Sequence, residues 1–276
     1  MERMAKVLDV SKSGYYAWLW RPESRRSKER RALDVLVKTA FEASKRRYGS
    51  RKIHRQLDAQ GHPCSRSGVA GSMRRQGLRS KVVRKFVVTT DTKHKLEASP
   101  NLLKRDFDVD RPNNVWTSDI TYLPSRAGWL FLVVFLDLFS RRVVGWCVST
   151  SLGHETALTA LSRAVWHRRP EPGLMIHSDR GIHYCCEGFR EAIDRHHFVQ
   201  STSRKGDCWD NAVTESFFRS LKTEWLYHAD LKDLDHAEQK LFEYIELFYN
   251  NQRLHASLDY VSPARFEDTP QQQKVA

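Results

Sequence analysis

Three acidic residues, Asp119, Asp179 and Glu215, could together hold hard cations. Asp119 interrupts VWTSDITYL, a strand-like run whose alternation points the aspartate toward a core. Asp179 follows Leu174–Ser178 in IHSDRGIHY, at a strand's carboxyl end and before a turn, where open α/β sheets place their sites. Glu215 belongs to DNAVTESFFRSLKTEW, Asp210–Trp225, which reads as a helix capped by Asp210. Phe217, Phe218, Leu221 and Trp225 recur on one face of it, and Glu215, Arg219 and Lys222 share a second edge. A solvated amphipathic helix has the same pattern, so Glu215 gains meaning only with the aspartates. Oxygen-only ligands favour Mg2+ or Mn2+ over zinc. Two such ions about 4 Å apart can activate an attacking hydroxyl and stabilise a leaving oxygen in phosphoryl transfer. Without cations the three carboxylates would repel one another.

Other groups compete for the same roles. Asp137 sits in an apolar strand and is expected to pair with Arg141 or Arg142 across a turn; Asp207 and Asp210 lie close to Glu215 in sequence. His177 and His183 flank Asp179, as proton shuttles or as hydrogen-bonding fixtures. Trp209 and Tyr184 suit stacking on a splayed base or core packing. The five cysteines include no CxxC pair and read as reduced thiols. Adjacent Cys185 and Cys186 fit small buried residues at a helix start better than a soft-metal site.

The elements that must hold these residues follow from composition. The 276-residue chain, 40% hydrophobic and 11% aromatic, can bury a core in more than one domain. Its net charge of +13 is uneven: residues 1–112 carry 28 Lys and Arg against 12 Asp and Glu, and residues 113–276 carry 18 against 21. The front half therefore seeks a polyanion, with nucleic acid the natural choice and an anionic membrane surface the rival. The longest apolar run, Trp129–Leu136, is too short to span a bilayer, and no signal-peptide core opens the chain; a cytoplasmic, nucleoid-associated protein is expected.

Ala5–Leu19 reads as two short helices around a turn capped by Ser11 or Ser13, Pro22–Arg31 as a basic connector, and Ala32–Ser44 as a third helix. Ser50 then caps Arg51–Gln60, Gly61 stops it, Ser65 caps Arg66–Gln76, and Gly77 stops that. This is helix-turn-helix, its second helix burying Val69 and Met73 and presenting Arg66, Ser67, Arg74 and Arg75 to DNA. Ser80–Pro112 is a basic, poorly patterned linker. Val115–Leu123, Trp129–Phe139 and Arg141–Ser149 form an antiparallel meander. Helices over Glu155–Arg168 and Glu187–His196 alternate with strands Leu174–Ser178 and Phe198–Ser201, which implies an α/β mixed sheet covered by helices. Leu234–Tyr249 is a last amphipathic helix through Ala237, Leu241, Ile245 and Phe248.

The three carboxylates are separated by 59 and then 35 residues, with Lys222 seven residues after Glu215. This resembles the D,D-35-E-K signature of bacterial insertion-sequence transposases and retroviral integrases. WTSDITY, HSDRG, SRKGDCWDNAVTESFF, YNNQRLHASL, SPARFE and, toward the front, RRYGSRKIHRQL resemble the second-frame product of IS-three-type insertion sequences across nearly the whole chain. The resemblance implies a ribonuclease-H-like core with Asp119 and Asp179 on strands, Glu215 on a helix, and Lys222 on terminal DNA. Ile182 and His183 depart from the small residue and Gln of many relatives, and His54, His62 and Cys64 lack the spacing of an integrase zinc module.

The expected layout is an N-terminal helical segment (1–30), an all-α helix-turn-helix domain (31–80), a basic linker (81–112), a catalytic core (113–226) and a C-terminal helical extension (227–276). The expected activity is Mg2+- or Mn2+-dependent cleavage and strand transfer at element ends, with two ions on Asp119, Asp179 and Glu215. Lys222, Arg219, Arg66, Ser67, Arg74 and Arg75 are the expected DNA contacts. The resemblance further implies a branched circle and then an excised circle, duplex DNA with terminal inverted repeats and a target as partners, a homo-oligomer on DNA, and fusion or association with the upstream-frame product. A metal-dependent nuclease and a non-catalytic DNA-binding regulator are the alternatives.

Overall fold

The computed structural model describes Met4, Val7 and residues 9–81, 99–204 and 211–269, in two compact units that divide between Lys81 and Val82. In the first unit, α1 (Lys12–Leu19) is capped by Ser11, whose Oγ accepts from the Gly14 N–H at 2.9 Å. Helix α2 runs Arg25–Ala43, seven residues earlier than apolar spacing suggests. Ser24 caps it, and Arg25–Glu29 (2.7 Å) and Ser27–Glu23 (2.7 Å) support a polar first turn that hydrophobic periodicity cannot register. Helices α3 (Ser50–Ala59, with Gly49 rather than Ser50 at the cap) and α4 (Arg66–Arg75, capped by Ser65) complete the unit. Both end on a left-handed glycine, Gly61 (φ +79°) and Gly77 (φ +66°). The following N–H groups of His62 and Leu78 reach back to the Leu57 and Met73 carbonyls. Val37, Phe41, Ile53, Leu57, Val69 and Met73 form the core.

The second unit is built on a five-stranded sheet of order β3-β2-β1-β4-β5. Strands β1 (Val115–Ser125), β2 (Gly128–Asp137) and β3 (Val143–Ser149) make the antiparallel meander, and β4 (Met175–Ser178) and β5 (Val199–Thr202) add in parallel beyond β1. Strand β2 is buried almost throughout, as expected of a strand covered on both faces. One face carries Trp116, Val133, Phe135 and Ile176 under α5 (His154–Arg168), the short α6 (Ile182–Cys185) and α7 (Glu187–Arg195). Helix α5 lies so close that a Cβ on Gly145 would stand 2.5 Å from the Ala160 carbonyl. The other face meets α8 (Ala212–Glu224), which buries Phe217, Phe218 and Leu221 and leaves Trp225, its C-cap, partly exposed.

Three expectations need correction. Residues 99–112, read as linker, belong to the second unit: Leu103 packs with Val115 and Leu138, and the Leu102 and Leu103 N–H groups donate to Ser201 Oγ at 3.0 and 3.3 Å. The last amphipathic helix is α9 (Leu234–Phe242) followed by a wider π-helical turn, Glu243–Asn250. There Asn250, fully buried, accepts from the Val143 N–H and donates to the Val143 carbonyl, both at 3.0 Å, and Glu246 accepts from Trp146 Nε1 at 2.9 Å. Asp137 turns to the Asn113 and Phe139 N–H groups (2.7 and 2.9 Å) and to Arg168 at 3.8 Å; Arg141 feels its charge without forming an ion pair with it. Arg142 instead pairs with Glu267 of α10 (Pro263–Asp268) at 2.8 Å. Among the described residues no helix is long and apolar enough to cross a membrane.

Candidate active site

Strands β1 and β4 run parallel with Ser118 opposite Ser178, so the next residues, Asp119 and Asp179, stand side by side where β4 ends. Asp119 shares its sheet face with Thr117, the face that α8 covers. Its Oδ1 accepts from the Ile120 N–H at 2.7 Å. Asp179 is held by the turn after it: its Oδ1 accepts from the Gly181 N–H at 2.8 Å, and a Cβ at residue 181 would crowd that oxygen. Glu215 rises from the first turn of α8 and is exposed, with Arg219 exposed one turn on and Lys222 half-buried.

The three carboxylates share one electrostatic neighbourhood. Asp119 is pushed well above the ordinary aspartate range, first by the protein packed around its carboxyl, then by Asp179 and, less, by Glu215; the Ile120 N–H and Lys222 oppose the shift. Glu215 is raised by partial desolvation and eased by Arg219. Lys222 is lowered by burial, with Asp119 pulling it back up. Helical side chains lean toward the N-terminus, which carries the Lys222 ammonium back along α8 toward Asp119. Among the described residues no three His, Cys, Asp or Glu side chains gather tightly enough to hold a metal ion between them. The acids are neighbours across a gap rather than a closed coordination shell.

Polar side chains of no evident chemistry join α8 to β1 beside the acids. Asn211, the residue before α8, makes no capping bond; its Nδ2 donates to the Ser118 carbonyl at 3.1 Å. The Thr214 hydroxyl is 2.9 Å from Asn211 Oδ1 and 2.7 Å from the Thr117 hydroxyl. Sequence reading overlooked both residues, although the three-residue step from Asn211 to Thr214 at a helix start was a visible signal. Asp210, Asp207 and Trp209 lie outside the described residues, and the cap position is Asn211. Tyr184 is fully buried, edge-on to Phe189 with its hydroxyl 2.8 Å from Ser118 Oγ, so it packs the core and has no face for a base. His177 is buried with Nδ1 2.9 Å from Ser201 Oγ, which makes it a fixture between β4 and β5; His183, partly exposed, lies in α6. Cys185 is buried and Cys186 half-buried, and both are free thiols. In the first unit Arg66, Ser67 and Arg74 are exposed on α4, whereas Arg75 is bound to Asp34 at 2.6 Å.

The integrase core domain family matches residues 109–208 and, through a second integrase core model, residues 215–270; an HTH-like domain family matches residues 28–86. The chain is 41% identical over 270 residues to the transposase InsF for insertion sequence IS3A of Escherichia coli (strain K12), covering 97% of this chain and 94% of that one. The chain belongs to the IS3 family of transposases. The insertion element IS600 uncharacterized 31 kDa protein of Shigella sonnei is 37% identical over 265 residues, covering 96% of this transposase and 97% of its relative. Among solved structures, a chain of the simian T-cell lymphotropic virus intasome in complex with PP2A regulatory subunit B56 gamma is similar at TM-score 0.49 and 17% identity, covering 81% of this chain and 76% of that one. This transposase is a polynucleotidyl transferase with a ribonuclease-H-like core, which sets aside the non-catalytic regulator.

Proposed function

We propose that this transposase cuts and joins DNA at the ends of an insertion sequence, with Asp119, Asp179 and Glu215 as its catalytic, metal-holding carboxylates. The observation that carries the reading is the pairing of β1 with β4, which sets Asp119 beside Asp179, whose charge adds to the cost of ionising Asp119. The donor set suits Mg2+ or Mn2+: all its ligands are oxygens, and a cation would offset the burial and the neighbouring acid charge that drive Asp119 upward. Bound there, two divalent ions would supply charge stabilisation to the attacking and leaving oxygens of a phosphodiester. Lys222 and Arg219, on the same edge of α8, bind and orient the terminal phosphates, and no covalent protein–DNA bond is needed. Arg66, Ser67 and Arg74 contact duplex DNA from α4; Arg75 contributes less because Asp34 already engages it. The finer reading has one end attack the same strand near the other end, giving a branched and then an excised circle. Terminal inverted repeats and target DNA are the substrates, within a homo-oligomer and with the upstream-frame product as fusion or partner, in the bacterial cytoplasm at the nucleoid.

The test is a duplex carrying a terminal repeat, incubated with the full chain and Mg2+. A new 3′-hydroxyl followed by joined, branched strands is expected; hydrolysed strands without joined products would make the protein a nuclease on the same core. DNA affinity should reside mainly in residues 1–112, with a salt slope of about −0.9 per neutralised phosphate. Because residues 99–112 pack with the core, the comparison fragment is 99–276. Duplex binding by that fragment as tight and as salt-dependent as the whole chain's would overturn the assignment of DNA affinity to the front half.

A further inference from the structure

The apolar face of α8 explains why the helix stays on the sheet but not why it stays in one place. Phe217, Phe218 and Leu221 would pack almost as well after a small slide or roll, because dispersion and hydrophobic contact have no direction. A ligand site tolerates only about 0.5 Å of such play. Arg253 grips Glu224 and Ser220 at the far end of the helix, but among the described residues the bonds from α8 to the sheet lie at its first turn, and their positions in the chain are telling. Thr214 immediately precedes Glu215, and Ser118 immediately precedes Asp119. Thr214 bonds to Thr117, Asn211 bonds to the Ser118 carbonyl, and Asn211 and Thr214 bond to each other. Thr117, Ser118 and Thr214 are fully buried and Asn211 is 5% exposed, so water does not compete for these bonds. Hydroxyls and an amide in a dry interface cost stability in any arrangement that leaves them unmatched, and this one matches them.

We propose that Thr214 and Asn211 are positioning residues that lock α8 to β1 in a single register and so fix the distance from Glu215 to Asp119. The proposal rests on the metal-holding reading of those carboxylates. Thr214 and Asn211 touch neither metal nor DNA; they act through the residue next to each acid.

The experiment is a titration of the DNA-free full chain with Mn2+, following free Mn2+ by electron paramagnetic resonance, alongside thermal unfolding. Thr214→Val keeps the volume and removes the hydroxyl, and is expected to weaken Mn2+ binding about 10- to 100-fold, as loss of a group orienting a ligand does. Thr214→Ser keeps the hydroxyl and should return binding to within a few-fold of the parent. Equal weakening by Thr214→Ser would assign the loss to packing and overturn the proposal, as would parental Mn2+ affinity in folded Thr214→Val. Should Thr214→Val not fold, Asn211→Ser carries the same test: parental affinity, or failure of this variant to fold as well, would reduce the network to a folding element. Asp119→Asn separates the two layers of argument. If it abolishes Mn2+ binding while Thr214→Val does not, the positioning role alone fails; if it leaves binding intact, the metal reading fails and takes the positioning role with it.

Discussion

The second unit holds two groups of buried or half-buried acids that are handled in opposite ways. At one, Glu267 receives both guanidinium nitrogens of Arg168 at 2.8 and 2.9 Å, Arg142 at 2.8 Å and the Ser140 hydroxyl at 2.7 Å; Asp137, 3.8 Å from the same Arg168, is still raised by burial and by Glu267. Glu224 is treated likewise by Arg253, which grips both carboxylate oxygens and also reaches Ser220. Burial alone would raise Glu267, yet Arg168, Ser140 and Arg142 hold it below the usual range. At the other group, Asp119 and Asp179 stand together with backbone N–H bonds and a half-buried lysine, and Asp119 is pushed up instead. An acid gripped by guanidinium is part of the frame; Asp119, raised where it stands beside Asp179, suits a site that a cation would complete. The comparison separates structure from chemistry among residues of the same type.

The largest effects should fall on the Asp119 group. Asp119→Asn, Asp179→Asn and Glu215→Gln should each reduce strand cleavage by at least about 100-fold, more than loss of an orienting neighbour costs. Thermal unfolding midpoints should hold or rise, because repulsion is removed. Full cleavage in any one variant would exclude that residue from the site. The gripped group should answer in stability. Arg253→Met strands a buried Glu224 and should cost about 3–5 kcal/mol in urea denaturation, and adding Glu224→Gln should recover part of that. If the double variant is no better than the single, the clamp is not electrostatic.

Lys222 sharpens the boundary between the groups. It interacts with Asp119 yet cannot ligate a cation, so Lys222→Ala should leave Mn2+ affinity in place and weaken terminal DNA binding by about 1–3 kcal/mol, with Lys222→Arg milder. Wild-type cutting and joining across a salt titration would make Lys222 a bystander on a solvated face. The smallest effect concerns acidity. Glu267 has a depressed folded-state pKa, so its contribution is present above the unfolded glutamate value and is lost as pH falls through the folded one. Glu267→Gln should therefore flatten the acid limb of a stability-versus-pH curve, and an unchanged limb would assign acid sensitivity elsewhere.

Local patterns made much of this legible. Runs of β-branched and aromatic residues between turns located β1 and β3, helical spacing located α8, and Ser65 with Gly77 bracketed α4, because each signal lies within a few residues of what it specifies. Asp119 was conspicuous as an acid inside an apolar strand, and Asp179 as an acid at a strand's end, and the pairing of β1 with β4 sets these two side by side. The clamps were not readable: Arg253 and Glu224, Glu267 and Arg168, and Asn211 and Ser118 are joined across long stretches of chain, and nothing near any of them names its partner. Polarity misled twice. Residues 25–31 looked like a connector because their helix is held by caps and ion pairs, and residues 99–112 looked like a linker because the few apolar residues that anchor them, such as Leu103, carry no periodicity.

Asn250 does to β3 what a neighbouring strand would do, taking up the N–H and the carbonyl of Val143 with one amide. At the far side of the sheet, residues 99–103 do the same for β5 through Pro100 and Ser201. Each outer strand is thus closed by chain lying beyond the minimal sheet. A fragment trimmed to residues 113–226 would lose both covers and present two open strand edges to other copies of itself. Self-association of that fragment, absent from 99–269 in light scattering, is what these covers predict, and it sets where a soluble catalytic fragment can be cut.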